Sequence, residues 1–251
     1  MSTAPLSESV QAYIDAQPRF AWRRATFNWI LRRVVDVLIK FDVRGQANIP
    51  ASGPTILMMN HISAIDPGLC MAAVKSRFIV PMSKIENFRN PAMLPFLWFY
   101  GAYAVHRDEV DREALMNSIA LLQSGMMILI APEGTRSAEG LQEPKDGMTY
   151  VATKADAIIL PAGLSGAQHF KTNFPTRRTP VQLQFGQPFR FRVNGRTRIP
   201  RAELSQMTRE AMYQLALAVP DTSMRGAYSD VENATTETLM FVDPVTGEEK
   251  K

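Results

Sequence analysis

Thr55-Ile56-Leu57-Met58-Met59-Asn60-His61-Ile62-Ser63-Ala64-Ile65-Asp66-Pro67 is the stretch on which the reading of this chain turns. Thr55 to Met59 is a short apolar run entered from Gly53-Pro54, and a run of that length between chain breakers fits a buried strand better than a short helix. Asp66-Pro67 marks a helix start: proline suits the first helical position, an aspartate just before it can cap free amides, and Pro67 pushes Asp66 out of helical backbone space. On a continuous helix, residues five apart diverge by about 140°. A strand, a tight loop and a helix start can instead turn His61 and Asp66 toward one another as a catalytic pair. For these two residues alone, a capping aspartate beside an incidental histidine is an equal reading.

Outward from this stretch the same rhythm repeats. Apolar runs recur at Phe78–Met82, Ala102–Val105, Met126–Ile130 and Ala157–Leu160, with helical stretches near Gly68–Val74, Pro91–Phe99, Arg112–Gln123 and Lys145–Lys154 between most of them. This alternation predicts an α/β fold with a mostly parallel central sheet flanked by helices. Val181–Phe191 alternates more and predicts a further strand, and Pro200–Val219 a last helix with Leu204, Met207, Met212 and Leu215 inward. After Phe41-Asp42-Val43, Gly45 and Pro50 punctuate a loop. Three regions are expected: an N-terminal helical segment at 1–40, the α/β body at 41–219 and an acidic tail at 220–251, loose or lying over the body.

Each apolar run ends in chemistry. Asn60-His61 follows the first, Ser83-Lys84 the second, His106-Arg107 the third and Pro132-Glu133-Gly134-Thr135-Arg136-Ser137 the fourth. Ligands of open α/β sheets bind beyond the carboxyl ends of the strands, so these groups are expected to converge on one cleft. Singly, each reads equally as a solvated loop residue. A histidine steadied by a carboxylate acts as a general base toward a hydroxyl. Ser63 raises the question of a serine hydrolase, but the chain has no Gly-x-Ser-x-Gly elbow, so the simpler target is a hydroxyl on the substrate. Arg107 and Arg136 present forked donors suited to phosphate, Gly134 admits a ligand close to the backbone, and Glu133 can orient Arg136 or meet polar groups of an acceptor.

Near the N-terminus, Ser7–Gln17 predicts a short helix closed by Pro18. Ala25–Lys40 predicts an amphipathic one, with Phe27, Ile30, Leu31, Val34, Val35 and Leu38 on one face and Asn28, Arg32, Asp36 and Lys40 opposite. Trp22 and Trp29, set among Arg19, Arg23, Arg24, Arg32 and Arg33, suit a lipid headgroup layer; packing of the apolar face on the core is the alternative. The segment is too charged for a spanning helix. Met1–Pro18 carries no apolar signal segment, so the protein is expected as a peripheral membrane protein on a cytoplasmic face. The net charge of +4 is uneven: from Asp221 onward, seven acidic residues against Arg225, Lys250 and Lys251 give −4, leaving +8 on residues 1–220. A basic body points to an anionic partner. The single cysteine, Cys70, excludes an internal disulfide and reads as a small core residue.

Taken together, Asn60-His61-x4-Asp66, Gly101 through Arg107 and Glu133-Gly134-Thr135-Arg136-Ser137 resemble the glycerolipid acyltransferases typified by 1-acylglycerol-3-phosphate O-acyltransferase, in order and spacing over roughly residues 41–165. The resemblance implies His61 as the base, Asp66 as its partner, and Arg107 with the Glu133–Arg136 segment as the phosphate-acceptor site. Lys84 matches a basic residue often found after the second strand. It implies attack of a lysophospholipid hydroxyl, lysophosphatidic acid first, on the thioester of acyl-CoA or acyl carrier protein, without covalent enzyme intermediate, cofactor or metal. Two departures touch acceptor and acyl-pocket positions: His106 stands where the family has Asp or Asn, and Pro161 alone remains of a two-proline fourth motif. The apolar run Met93–Tyr100 reads as core, as the lining of an acyl tunnel or as a lipid-facing surface, and Arg190, Arg192, Arg196, Arg198 and Arg201 as a solvated face or a contact for headgroups or CoA phosphates.

Two rival classes complete the reading. A non-enzymatic membrane-binding protein is compatible with the charge. A nucleic-acid binder is not expected, since no recognised module or basic–aromatic interleaving is present. Metal ligation by His61 and Asp66 lacks further histidines nearby, because only His106 and His169 remain.

Overall fold

In the computed structural model the described residues are 8–84, 89–91, 97, 100–105 and 112–250. Two N-terminal helices, α1 (Glu8–Asp15) and α2 (Gln17–Leu38), lead into β1 (Ile39–Arg44). Pro18 does not close the first helix; it occupies the opening turn of the second, where its missing amide costs nothing. There follow β2 (Thr55–Met59), α3 (Asp66–Ala73), β3 (Ile79–Val80), β4 (Met82–Lys84), β5 (Tyr103–Val105), α4 (Arg112–Gln123), β6 (Met127–Ile130), α5 (Gly147–Ala155) and β7 (Ile158–Ser165). The C-terminal part adds β8 (Thr179–Phe185), β9 (Phe189–Phe191), α6 (Arg201–Ala218) and β10 (Leu239–Phe241).

The main sheet runs β1-β8-β7-β2-β6-β3, with β9 beside β7 and β10 beside β9, while β4 and β5 form a separate parallel pair. β2 lies parallel between β6 and β7, with Met58 opposite both Ile130 and Pro161, and every residue of β2 is buried. That is the burial expected of a strand covered on both faces, and it explains the unbroken apolar run. Pro161 sits where the outer neighbour of β7 changes from β8 to β9; its carbonyl accepts from Gly186 on that side, so its absent N–H faces the break between the two strands and leaves no ladder position empty.

Two expectations are corrected, and one left open is decided. Phe41-Asp42-Val43 belongs to a strand rather than to the approach to a loop, because β1 pairs in register with β8 from Ile39–Thr179 to Arg44–Gln184. Val181–Phe191 is two strands, interrupted at Gly186–Pro188. The acidic tail lies over the body: β10 continues the sheet antiparallel to β9, and the buried Glu210 of α6 accepts from the amide and hydroxyl of Thr238 and from the hydroxyl of Thr235.

α2 is rotated relative to the expected face. Phe27, Leu31, Val35 and Leu38 pack inward, but Arg24 and Asn28 join them at 3% exposure each. Arg24 can enter because carbonyls receive it: Nε donates to Tyr100 O and Nη2 to Gly101 O, with Gln17 and Tyr13 completing the set. Ile30 and Val34 therefore turn outward beside Trp22 at 65%, Trp29 at 61% and Val37 at 68% exposure. Among the described residues no helix is long and apolar enough to cross a membrane. Of the Met93–Tyr100 run only Leu97 and Tyr100 are described, and both are core; the remainder lies outside the described residues.

Candidate active site

β2 ends where Asn60 turns its side chain across to β7, donating to Leu164 O and accepting from Leu164 N at 2.9 and 2.7 Å. This pair of bonds continues the β2–β7 ladder by side chain after the backbone has left it, and so fixes the point from which His61 departs. His61 then meets Asp66: Nδ1 and Oδ2 are 2.9 Å apart, with the aspartate fully buried and the imidazole at 21% exposure.

Asp66 does not cap α3 forward as expected, since no side-chain bond caps that helix. Its Oδ2 reaches back to the amides of Ile62 and Ser63 at 2.7 and 2.6 Å. One oxygen thus shapes the 61–66 loop and receives the imidazole. A carboxylate only accepts, so Nδ1 carries the proton and Nε2 is left with a lone pair.

The loop after β6 closes over this pair. Ser137 N donates to His61 O at 2.8 Å, and Glu133 Oε1 accepts from His61 N at 3.3 Å while Oε2 accepts from Gln142 N at 2.9 Å. Both backbone polar groups of His61 are therefore held by one loop. Glu133 is only 4% exposed, and burial pushes its carboxyl above the usual range against the opposing pull of the Gln142 and His61 amides. Through these bonds Glu133 positions the backbone of His61. The brace extends further: Leu141 N donates to Met224 O and Ala227 N to Leu141 O, so the C-terminal segment supports the loop that carries Gln142.

Thr135 and Arg136 are exposed beside it. Gly134 has φ +69°, and a methyl group there would lie 3.5 to 3.7 Å from Cε, Cδ and Nζ of Lys145. The left-handed backbone is what favours glycine here, since such a methyl group would only be in ordinary contact with the lysine stem, and that stem brings an exposed ammonium beside the Arg136 turn. The sequence places Lys145 only at a helix start; nothing in its spacing signals the fold-back that Lys145 N makes with Pro132 O at 2.9 Å.

Lys84 ends β4 opposite Val105 of β5, so the two parallel strands bring Lys84 and Val105 to one end of their pair. Arg107, and His106 before it, lie outside the described residues. Among the described residues no group of three or more His, Cys, Asp or Glu side chains comes together as a metal site would require. The arrangement can take a proton at Nε2, stabilise the resulting imidazolium with a buried carboxylate, and meet an anion with the exposed cations Arg136 and Lys145.

A family model described as Acyltransferase matches residues 40–165, which span the His61–Asp66 pair, the Glu133–Arg136 loop and the whole of β7. Human 1-acyl-sn-glycerol-3-phosphate acyltransferase alpha is 30% identical over 150 residues, 58% of this chain and 53% of the relative. The 1-acyl-sn-glycerol-3-phosphate acyltransferase of Borreliella burgdorferi is 32% identical over 135 residues, 53% of this chain and 54% of the relative. The chain spans about half the length of these curated relatives. The crystal structure of the 1-acyl-sn-glycerophosphate (LPA) acyltransferase PlsC from Thermotoga maritima aligns with a TM-score of 0.58 at 20% identity, covering 85% of this chain and 83% of that one. The likeness is one of fold, and it extends beyond residues 40–165.

Proposed function

The chain belongs to the acyltransferase family, and from that premise we propose that it moves a fatty acyl group from acyl-CoA or acyl carrier protein to the free hydroxyl of lysophosphatidic acid, with His61 as general base. The observation that carries this reading is the 2.9 Å contact between His61 Nδ1 and a fully buried Asp66, at the carboxyl end of a central parallel strand. Nε2 takes the proton of the acceptor hydroxyl as its oxygen attacks the thioester carbonyl. The carbon–sulfur bond then breaks, and the departing thiolate takes the proton back from the imidazolium. Asp66 stabilises the imidazolium between those two steps.

The acceptor phosphate is assigned to Arg136 and, by the family resemblance, to Arg107, with Lys84 as a further basic group. Lys145 joins them because its ammonium lies over Gly134 beside the same turn. Glu133 serves by holding His61. The phosphate carried by both substrates suits a body of +8. The chemistry is assigned to side chains alone, with neither cofactor nor metal, because the imidazole nitrogen facing away from Asp66 is itself the base. Glycerol-3-phosphate or another lysolipid is the alternative acceptor, favoured by the His106 departure.

The protein is read as peripheral to the membrane, at its cytoplasmic face. Trp22, Trp29, Ile30, Val34 and Val37 form an exposed stripe on α2, accompanied by the exposed Arg19 and Arg33, which is the composition of a helix lying in the lipid interface. Incubation of purified protein with labelled acyl-CoA and a panel of lysolipids and glycerol-3-phosphate tests the proposal. Phosphatidic acid is the expected product, and absence of transfer to every phosphorylated acceptor with either donor would refute it.

A further inference from the structure

We propose that the connection between β7 and β8, residues 167–178, is a second lipid contact, in which Phe174 enters an anionic bilayer while Lys171, Arg177 and Arg178 meet its headgroups. The inference rests on the lipid-facing α2 described above and adds an element that lies beyond the matched residues 40–165.

Register places this connection at the same end of the sheet as His61. β2 and β7 are parallel, with Met59 opposite Ala162, so β7 ends beside the residue that follows β2. Leu164, gripped by the side chain of Asn60, is two residues before Gly166. β8 returns antiparallel from this end, and β1 starts there too, with Ile39 opposite Thr179. The C-terminus of α2 therefore arrives beside the connection, and Arg178 Nη2 donates to Ile39 O, the residue ending that helix, at 2.7 Å. Val37, two residues earlier, brings the exposed stripe of α2 up to this contact.

The connection is built to hold its shape. Gly166 has φ +87°, and a methyl group on it would lie 2.3 Å from Pro180 O, so only glycine closes the base of the loop. Asn173 is buried; its carbonyl receives the amide of Arg177 and the hydroxyl of Thr176, and its side chain receives Arg177 Nε. Phe174 is nevertheless 51% exposed, and Lys171, Arg177 and Arg178 are exposed around it. From Gly166 to Arg178 there is no acidic residue.

An exposed aromatic ring among cations, in a segment without a carboxylate of its own, complements an anionic lipid surface. Continuity with the apolar stripe of α2 favours a bilayer over an acidic protein. Two contacts, one on α2 and one on this loop, would set the orientation of the intervening site to the membrane, so that an acceptor enters from lipid.

Sedimentation with vesicles of phosphatidylcholine alone, and of phosphatidylcholine with phosphatidylglycerol, tests this. Each cation near a charged surface is expected to contribute about fivefold to partitioning. A Lys171→Ser/Phe174→Ser/Arg177→Gln variant is therefore expected to bind the anionic vesicles at least tenfold more weakly than wild type, and to keep wild-type turnover of a dispersed short-chain acceptor without vesicles. Trp22→Ser/Trp29→Ser serves as the α2 comparison. Loss in the α2 variant with loop-variant binding within twofold of wild type would overturn the loop proposal and leave the α2 reading intact; unchanged binding in both would overturn both. A loop variant that loses vesicle-free turnover would place these residues at the acyl donor or in the fold, and would equally overturn it.

Discussion

Replacing Asp66 by Asn separates the two tasks proposed for its carboxylate. Oδ2 receives Ile62 N, Ser63 N and His61 Nδ1 at 2.7, 2.6 and 2.9 Å, whereas Oδ1 is buried without a partner among the described residues. The Asn carbonyl can take the place of Oδ2 and keep the loop, with its amide nitrogen in the place of Oδ1. What disappears is the negative charge beside the imidazolium that forms during transfer. Two unit charges about 4 Å apart interact by about 4 kcal/mol at an effective dielectric of about 20. At about 1.4 kcal/mol per decade, that is a fall in kcat on the order of 10³-fold. KM for both substrates should stay within a few-fold, since neither touches Asp66 in this account. Initial rates of thiol release, with circular dichroism as the control for folding, measure it. A folded Asp66→Asn protein that loses less than tenfold in kcat would refute the electrostatic role given to this carboxylate.

Other outcomes follow from the same geometry. Glu133→Gln turns a donor toward the amide of His61 or Gln142, and leaving that buried N–H unpaired costs about 1–3 kcal/mol; kcat is expected to fall ten- to a hundredfold and Tm by about 3–10 °C. Burial raises the Glu133 pKa, so its stabilising contribution is full below the ordinary glutamate value and is lost as pH rises through the raised one; the Tm gap to Glu133→Gln should narrow across that window, and a pH-independent gap would count against it. Arg136→Ala and Lys145→Ala are each expected to raise KM for a phosphorylated acceptor about tenfold or more, from loss of a charge-assisted bond of about 1.5–3 kcal/mol; equal losses with an uncharged acceptor would remove them from the phosphate site. Excess chelator is expected to leave turnover unchanged, whereas abolition restored by a divalent metal would contradict the metal-free chemistry.

Sequence made the central strand and the His61–Asp66 contact legible because both rest on local signals. Thr55–Met59 is buried on both faces, so its pattern is uninterrupted, and Pro67 fixes the helix start that brings Asp66 back toward His61. β1 was missed because Lys40, Asp42 and Arg44 alternate along an edge strand that only pairing with β8 identifies. The face of α2 was misjudged because the partners of Arg24 are the carbonyls of Tyr100 and Gly101, far along the chain. The placements of Glu133 and Lys145 are hidden from sequence for the same reason: each depends on the return of residues 141–146 over the loop after β6, which Met224 and Ala227 brace from the C-terminal segment.

The most direct measurement of the central claim is acyl transfer from labelled acyl-CoA to lysophosphatidic acid by His61→Ala, with vesicle binding followed in parallel. An imidazole that serves as the base leaves a variant that is folded, binds membranes as the wild type does, and has lost at least 10³-fold in kcat. Transfer within tenfold of wild type would contradict the account.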